Sequence, residues 1–409
     1  MRTGIPHSTP ERRGRPAHRA DWARSRRPVG PARRSAVAPP HPQRDRSAPV
    51  APGRRTCSTG SRRWRPAPGG DGEPGGRAAA AGWRGDVPSL HSRPGALGAV
   101  QRSSSRASGL MQPFTSPAAQ LRALLAGEDC QVMPCCFDAL SARLVERAGF
   151  PLTFMSGFSV AAARAALPDT GLLTVTEMLD QGRSICSAVR IPVIGDGDTG
   201  HGNAANVLRT MHQFARAGFA GIMLEDQLAP KRCGHTGVKE VVSREEALGR
   251  IRAAVAARAE GADLVIVART DARSALAASH GDEAALEEAL WRLKAFAELG
   301  AEVLFLEAPR SEAELRRFCA EVPGWRMANM LEGGFTPLLP PAQLAAMGFR
   351  LAAYPLTLLS CAAAAMQAAL ADLAAGRTPE RMLEFAELRE LVGFDQYDAV
   401  LQAHASGSL

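Results

Sequence analysis

The sequence predicts an α/β protein: a closed parallel (β/α)8 barrel of the TIM type with extra C-terminal helices, preceded by a disordered N-terminal tail. Three observations predict it. From residue 131 onward, eight short apolar runs of β character alternate with stretches of helical period. Eight strands with a helix after each is the count of a closed barrel; an open doubly wound sheet is the alternative. Charged residues also gather just past the C-terminal end of successive runs, the edge where a parallel barrel carries its chemistry.

The 409 residues divide into two parts of different composition. Residues 1–110 hold 22 Arg, no Lys and six acids, with dense Pro, Gly, Ala and Ser and no Phe, Tyr or Asn. Such a segment buries too little apolar surface to offset chain entropy and is expected to be disordered. Its charge of 22 − 6 = +16, taken from the total of +8, leaves −8 for residues 111–409, so no nucleic-acid partner is expected of that part. The tail is read first as an upstream extension with Met111 as the natural start. A transit peptide and a functional basic tail are the alternatives.

Residues 111–409 suffice for one barrel domain. No run of 18 apolar residues occurs, so no membrane span is expected, and the Ala-rich stretch 351–375 reads as a buried helix. Eight cysteines without C-x-x-C spacing suggest neither a zinc knuckle nor a disulfide framework. The expected compartment is the cytoplasm, or an organelle such as the chloroplast if residues 1–110 are a transit peptide.

Along the chain, residues 116–127 form a first helix, with Ser116 as cap, Pro117 in the first turn and Leu121, Leu124 and Leu125 along it. Strands are expected at 131–137, 152–156, 192–196, 221–225, 264–270, 303–307, 326–330 and 350–354. Helices are expected at 138–149, 174–189, 203–217, 243–260, 282–299, 311–321 and 340–347, with two more at about 355–375 and 379–391.

The third strand opens the stretch IPVIGDGDTGHGN, 191–203, in which Asp196 and Asp198 alternate with four glycines. Carboxylates on a glycine-rich loop at a strand end suit a hard cation such as Mg²⁺, with Mn²⁺ as the substitute. Gly195-x-Gly197-x-x-Gly200 also satisfies a dinucleotide fingerprint, but two aspartates would face a pyrophosphate that needs bare N–H groups. Glu225, from the next strand, joins the aspartates as a third candidate ligand. Arg269 ends the fifth strand as a fixed cationic fork suited to a substrate carboxylate, or to an ion pair with Glu307 at the barrel mouth.

A long loop after the fourth strand carries Lys231-Arg232-Cys233-Gly234-His235 and suits a lid. Cys233 lies beside two cations and a histidine, which lowers a thiol's pKa and suits proton transfer. An inert surface thiol, a zinc ligand paired with His235 and a Cys–His nucleophile are the other readings.

SGFSVAAARAALPDTG (156–171), GDGDTGHGN (195–203), LEDQ (224–227), KRCGH (231–235), ARTDA (268–272) and ANMLEGG (328–334) resemble the isocitrate lyase/phosphoenolpyruvate mutase superfamily. The wording is most similar to the branch of 2-alkylmalate and 2-methylisocitrate lyases and carboxyvinyl-carboxyphosphonate phosphorylmutases. The resemblance spans about residues 115–395 and implies a (β/α)8 fold.

It further implies that Asp196, Asp198 and Glu225 hold Mg²⁺ directly or through water. Ser156, Gly157 and Asp169 would line the site near the 2-oxo acid end of the substrate. Arg269 and Glu307 would position its carboxylate and hydroxyl, and Asn329 would contact the other carboxylate. Cys233 would be the general acid; Lys231 and His235 are counted with it as catalytic and Gly234 as substrate-binding. The expected partners are a di- or tricarboxylate substrate and further copies of the chain, in a homotetramer that exchanges a C-terminal helix.

The expected reaction is retro-aldol cleavage of a 2-hydroxy dicarboxylic acid through a 2-oxo acid enolate, under a lid that keeps water from protonating it. Phosphonate C–P mutase and oxaloacetate decarboxylase or hydrolase chemistry are the alternatives. Two departures bear on substrate: Phe154 stands where methylisocitrate-type lyases resemble one another in having Tyr, and Thr236-Gly237-Val238-Lys239 replaces their Arg-Pro-Asn-Lys. Both favour a 2-alkylmalate or a broader 2-hydroxy diacid, and both leave the base unassigned.

Overall fold

The computed structural model describes residues 115–231 and 239–405. The expectations for residues 1–110 and for Cys233, Gly234 and His235 therefore lie outside the described residues. Eight strands pair in parallel and in sequence order, and the eighth returns to the first to close a barrel. They are β1 (Gln131–Cys136), β2 (Thr153–Met155), β3 (Val193–Asp196), β4 (Gly221–Glu225), β5 (Val265–Thr270), β6 (Val303–Leu306), β7 (Trp325–Asn329) and β8 (Leu351–Tyr354). Every expected strand is present, with its ends moved by no more than one residue.

Helix α1 (Pro117–Leu125) precedes the barrel; α2 (Ala139–Arg147) follows β1. Then come α3 (Gly157–Ala165) and α4 (Val175–Ala188) after β2, α5 (Ala204–Ala217) after β3 and α6 (Arg244–Ala259) after β4. Two short helices, α7 (Ala272–Ala275) and α8 (Ala277–His280), lead into α9 (Asp282–Leu299). The chain continues with α10 (Glu312–Glu321), α11 (Pro341–Met347), α12 (Thr357–Ala374), α13 (Phe385–Val392) and α14 (Phe394–Ala405).

The strands read as unbroken apolar runs because both their faces are covered. One core cluster fills the barrel, with Met133, Ile194, Val265, Val303 and Leu351 among its members, and a larger one lies between strands and helices. Leu121 and Leu125 of α1 join the barrel cluster and are fully buried. Arg122 of the same helix bonds Asp263 and Glu302, which precede β5 and β6. Helix α1 therefore plugs the N-terminal end and leaves the C-terminal end as the open mouth.

Four helices were not expected. Ser156, read as a site residue, also caps α3 by accepting a hydrogen bond from Ser159 N at 3.3 Å. The helices α7 and α8 are too short to show a period. Helix α14 follows Gly393, whose left-handed φ of 91° ends α13. The helix expected at 379–391 begins only at Phe385, after Glu384 and Glu387 form a capping box.

Helix α12 corrects the expectation for 351–375. Not one of its residues is buried; Leu370 is 63% exposed and Met366 59%. Apolar composition requires that a face be covered but does not say by which chain. By length and composition α12 is also the one helix among the described residues that could cross a membrane, which a search for unbroken apolar runs passed over.

Candidate active site at the mouth of the barrel

The glycine-rich stretch turns tightly over the end of β3. Gly197 N donates to Met223 O at 2.9 Å and Glu225 N donates to Asp198 O at 2.9 Å, which ties the exits of β3 and β4 together. Asp198 adopts a left-handed φ of 50°, a conformation that Asp tolerates better than most residues. Gly200, at φ 83°, packs so closely that an added Cβ would meet Val207 Cγ2 at 2.4 Å. Asn203 then caps α5, accepting from Ala205 N and Asn206 N. The cap occupies the N–H groups that a pyrophosphate would need, so the dinucleotide alternative has no support here.

Asp196 is held at both oxygens: Oδ1 accepts from Asp198 N and Oδ2 from Gly157 N, each at 3.1 Å. A side chain at Gly157 would put its Cβ 2.5 Å from that Oδ2, so only glycine lets the end of β2 approach so near.

A cleft with a cavity of about 70 Å³ opens here. It is lined by Ser156, Asp169, Asp196, Glu225, Lys231, Arg269, Glu307 and Asn329, eight of the residues expected from sequence. Gly157 and Asp198 stand directly behind it. The structure thus brings together all ten expected site residues that it describes.

The lining is divided. The charged side chains Asp196, Glu225, Arg269 and Glu307 come from the ends of β3 to β6, beside Met223 and Phe305, whereas Cys135, Phe154, Met327 and Ala353, with the uncharged polar Ser156 and Asn329, come from β1, β2, β7 and β8 or just past them. Phe158, Leu331 and Leu356 extend the apolar half outward. In a closed barrel these halves face each other. Cys135 is the thiol seen in this lining, and burial pushes its pKa well above the ordinary value, so it is poorly suited to act as a thiolate.

Lys231 was expected on a loop that suits a lid and counted as catalytic, and its side chain is only 5% exposed. Its Nζ lies 2.8 Å from Asp169 Oδ1 and 2.5 Å from Asp198 Oδ1. Burial alone would depress the ammonium pKa, but Asp198, Asp196, Asp169 and Glu225 raise it well above the usual lysine value. One ammonium cannot balance four carboxylates. Burial pushes Asp198 up to about 7 despite Lys231, and Glu225 is raised by the same cause against Arg269 and Lys231.

Arg269 makes the ion pair with Glu307 that is one of its sequence readings, and it also faces the cleft. Its Nε lies 3.3 Å from Glu225 and its Nη2 3.5 Å from Glu307. Its shortest contacts are with Asp271, whose Oδ2 accepts from Nε at 2.8 Å and Oδ1 from Nη2 at 3.0 Å. Burial would raise the Asp271 carboxyl, but Arg269 and Lys239 overcome this and hold it well below the usual range. From sequence Asp271 appeared within the motif ARTDA, with no role given to it. The available signal was its two-residue step from Arg269, which places both on one side of an extended chain.

The donor set fits a hard divalent cation. It consists of carboxylate oxygens, it carries more negative than positive charge, and the buried Glu225 Oε1 has no hydrogen-bond partner. Among the described residues no three carboxylate, imidazole or thiol groups converge closely enough to enclose an ion. Such a cation would thus take few protein ligands and leave positions for water and substrate, as Mg²⁺ prefers.

The family model described as phosphoenolpyruvate phosphomutase matches residues 121–374. A 2,3-dimethylmalate lyase from Eubacterium barkeri is 40% identical over 294 residues, covering 71% of this chain and 99% of that protein. Among solved structures, oxaloacetate acetylhydrolase in complex with 3,3-difluorooxalacetate aligns with a TM-score of 0.67 and 35% identity, over 72% of this chain and 99% of its own. Phosphonopyruvate hydrolase in complex with oxalate and Mg²⁺ aligns with a TM-score of 0.62 and 31% identity, over 71% of this chain and all of its own.

Proposed function

The chain belongs to the isocitrate lyase/phosphoenolpyruvate mutase superfamily, and from that premise we propose that it is a Mg²⁺-dependent lyase cleaving a carbon–carbon bond of a 2-alkylmalate or similar 2-hydroxy dicarboxylate. The observation that carries this reading is the divided cleft. A charged half suits a carboxylate beside an oxygen at C2, and an apolar half formed by Phe154, Phe158, Leu331 and Leu356 suits alkyl substituents. The 40% identity to a 2,3-dimethylmalate lyase supports the same class.

The reaction draws on this chain's residues as follows. Arg269 receives a substrate carboxylate in a two-pronged contact, turning its outer nitrogens from Glu307. Asp196, Asp198 and Glu225 would hold the cation, in part through water, and it would supply positive charge to the C2 oxygen as that oxygen loses its proton and becomes the carbonyl of the 2-oxo acid. Lys231 keeps a permanent positive charge beside these carboxylates and limits their mutual repulsion. Asn329 contacts the second carboxylate. Cys233 donates the proton to the departing carbanion. The cleft walls limit the water that would protonate the carbanion.

The exposed apolar helices α12 to α14 fit an assembly of several copies, the homotetramer with an exchanged helix. A second feature supports it: an apolar groove lined by Val132, Leu144, Phe150 and Leu358 adjoins the start of α12.

The test is turnover of 2,3-dimethylmalate, 2-methylisocitrate, isocitrate, oxaloacetate and phosphonopyruvate with Mg²⁺, before and after chelation, reading 2-oxo acid release. Chelator-sensitive cleavage of an alkylated malate is expected. Turnover of phosphonopyruvate alone would move the protein to the C–P branch, and turnover of oxaloacetate alone to hydrolysis or decarboxylation.

A further inference from the structure

Lys239 is a buried lysine outside the lining of the cleft. Its side chain is 3% exposed, and its Nζ donates to Asp271 Oδ1 at 2.7 Å and to Ser274 Oγ at 3.0 Å. The same Oδ1 accepts from Arg269 Nη2 at 3.0 Å, so two cations share one carboxylate oxygen. Asp271 is itself fully buried, and its backbone is fixed by its N–H donating to Asp226 Oδ1 at 2.9 Å. Of the three, only Arg269 lines the cleft. Burying an ammonium costs several kcal/mol unless it is well paired, and one counter-ion was already present for Asp271 in Arg269. The second cation therefore needs a reason.

We propose that Lys239 is a positioning residue for Arg269: by neutralising Asp271, it leaves the guanidinium free to take a substrate carboxylate. This rests on the reading that Arg269 receives that carboxylate. Arg269 is flanked by three carboxylates, Asp271, Glu225 and Glu307. Without Lys239, Asp271 has a single partner and holds it more strongly, and the charge behind the guanidinium becomes one unit more negative. Both effects act on binding of an anion rather than on the bond-breaking step.

The experiment compares Lys239→Met and Lys239→Arg in the full chain. In Lys239→Met the KM for the cleaved diacid is expected to rise about tenfold or more while kcat moves less than about threefold, the pattern of lost uniform binding. Lys239→Arg, which keeps the cation, is expected to stay within about threefold of the parent KM. An unchanged KM in Lys239→Met, or a fall in kcat at unchanged KM, overturns the inference.

A crystal structure of Lys239→Met gives a readout that needs no substrate. Arg269 should be drawn onto Asp271 Oδ1 and away from the cleft, and an unmoved guanidinium overturns the inference. If the parent protein cleaves no diacid, the proposed function fails by itself and that structure still decides the role of Lys239. Should Lys239→Met fail to fold, Lys239→Gln keeps a donor without the charge and is read by the same two criteria.

Discussion

The mouth of the barrel and the C-terminal helices break opposite rules. At the mouth, Asp196, Asp198, Glu225, Lys231 and Glu307 are all less than a tenth exposed, although charged side chains are seldom buried unless paired. In α12 to α14, Met366, Leu370, Phe385 and Tyr397 are each more than half exposed, although such side chains belong in a core. Each region is poorly satisfied within one chain, and each in a way that names what would complete it. Surplus buried carboxylate suits a cation and an anionic substrate bound with it. An uncovered apolar face suits another protein surface. The rest of the barrel, by contrast, is self-sufficient, its strands covered on both faces.

Substitutions in the two regions should therefore fail differently. The largest effect is expected from Cys233→Ser, which should lower kcat by about 10²–10⁴, the worth of a positioned proton donor, while Mg²⁺ still binds. Unchanged turnover would remove Cys233 from the chemistry. Arg269→Met should reduce kcat/KM by about 10²–10³, as expected when one partner of a buried charged contact is lost. Steady-state kinetics on the cleaved diacid check both.

Leu121→Ala, at the plugged end, should cost about 2–5 kcal/mol of stability by leaving a cavity. Chemical denaturation measures it, and turnover below the transition should be retained. Leu370→Asp should do the reverse, leaving the far-UV circular dichroism of the barrel in place while dispersing the assembly in sedimentation velocity. An unchanged sedimentation coefficient would mean that this face of α12 is not an interface.

The smallest effect concerns pH. Asp198 titrates near 7 in the folded chain, against an ordinary value of 3.8, because burial opposes its charge. A raised carboxyl pKa means that the folded chain holds this proton more tightly than the unfolded one. Its contribution is thus constant below about pH 4, becomes progressively less favourable between about pH 4 and 7, and levels off above that. In chelator the melting temperature should fall by a few degrees across this window, and Asp198→Asn should flatten the slope. A melting temperature equally pH-dependent in the variant would assign the slope to other groups.

The two regions also differ in how far they could be read from sequence. The barrel was legible because strands covered on both faces leave apolar runs whose ends differ by at most one residue from those observed. The site was legible because a parallel barrel gathers its strand ends: Asp196, Glu225, Arg269 and Asn329 are far apart in the chain but line one cleft. What stayed hidden depends on how side chains fold back. Lys231 sits in a loop by sequence, yet it turns inward to Asp169 and Asp198. Lys239 and Asp271 meet across 32 residues with no spacing to announce them. The apolar pattern of α12 showed that it must be covered, and a single chain's sequence does not say by what.

The most direct measurement of the central claim is a calorimetric titration of Mg²⁺, alone and with oxalate, into the parent protein and Glu225→Gln. One Mg²⁺ site per chain is expected, with tighter binding in the presence of oxalate and clearly weaker binding in the variant. Absence of Mg²⁺ binding under both conditions, or equal binding in Glu225→Gln, would contradict a cation site at the mouth of the barrel.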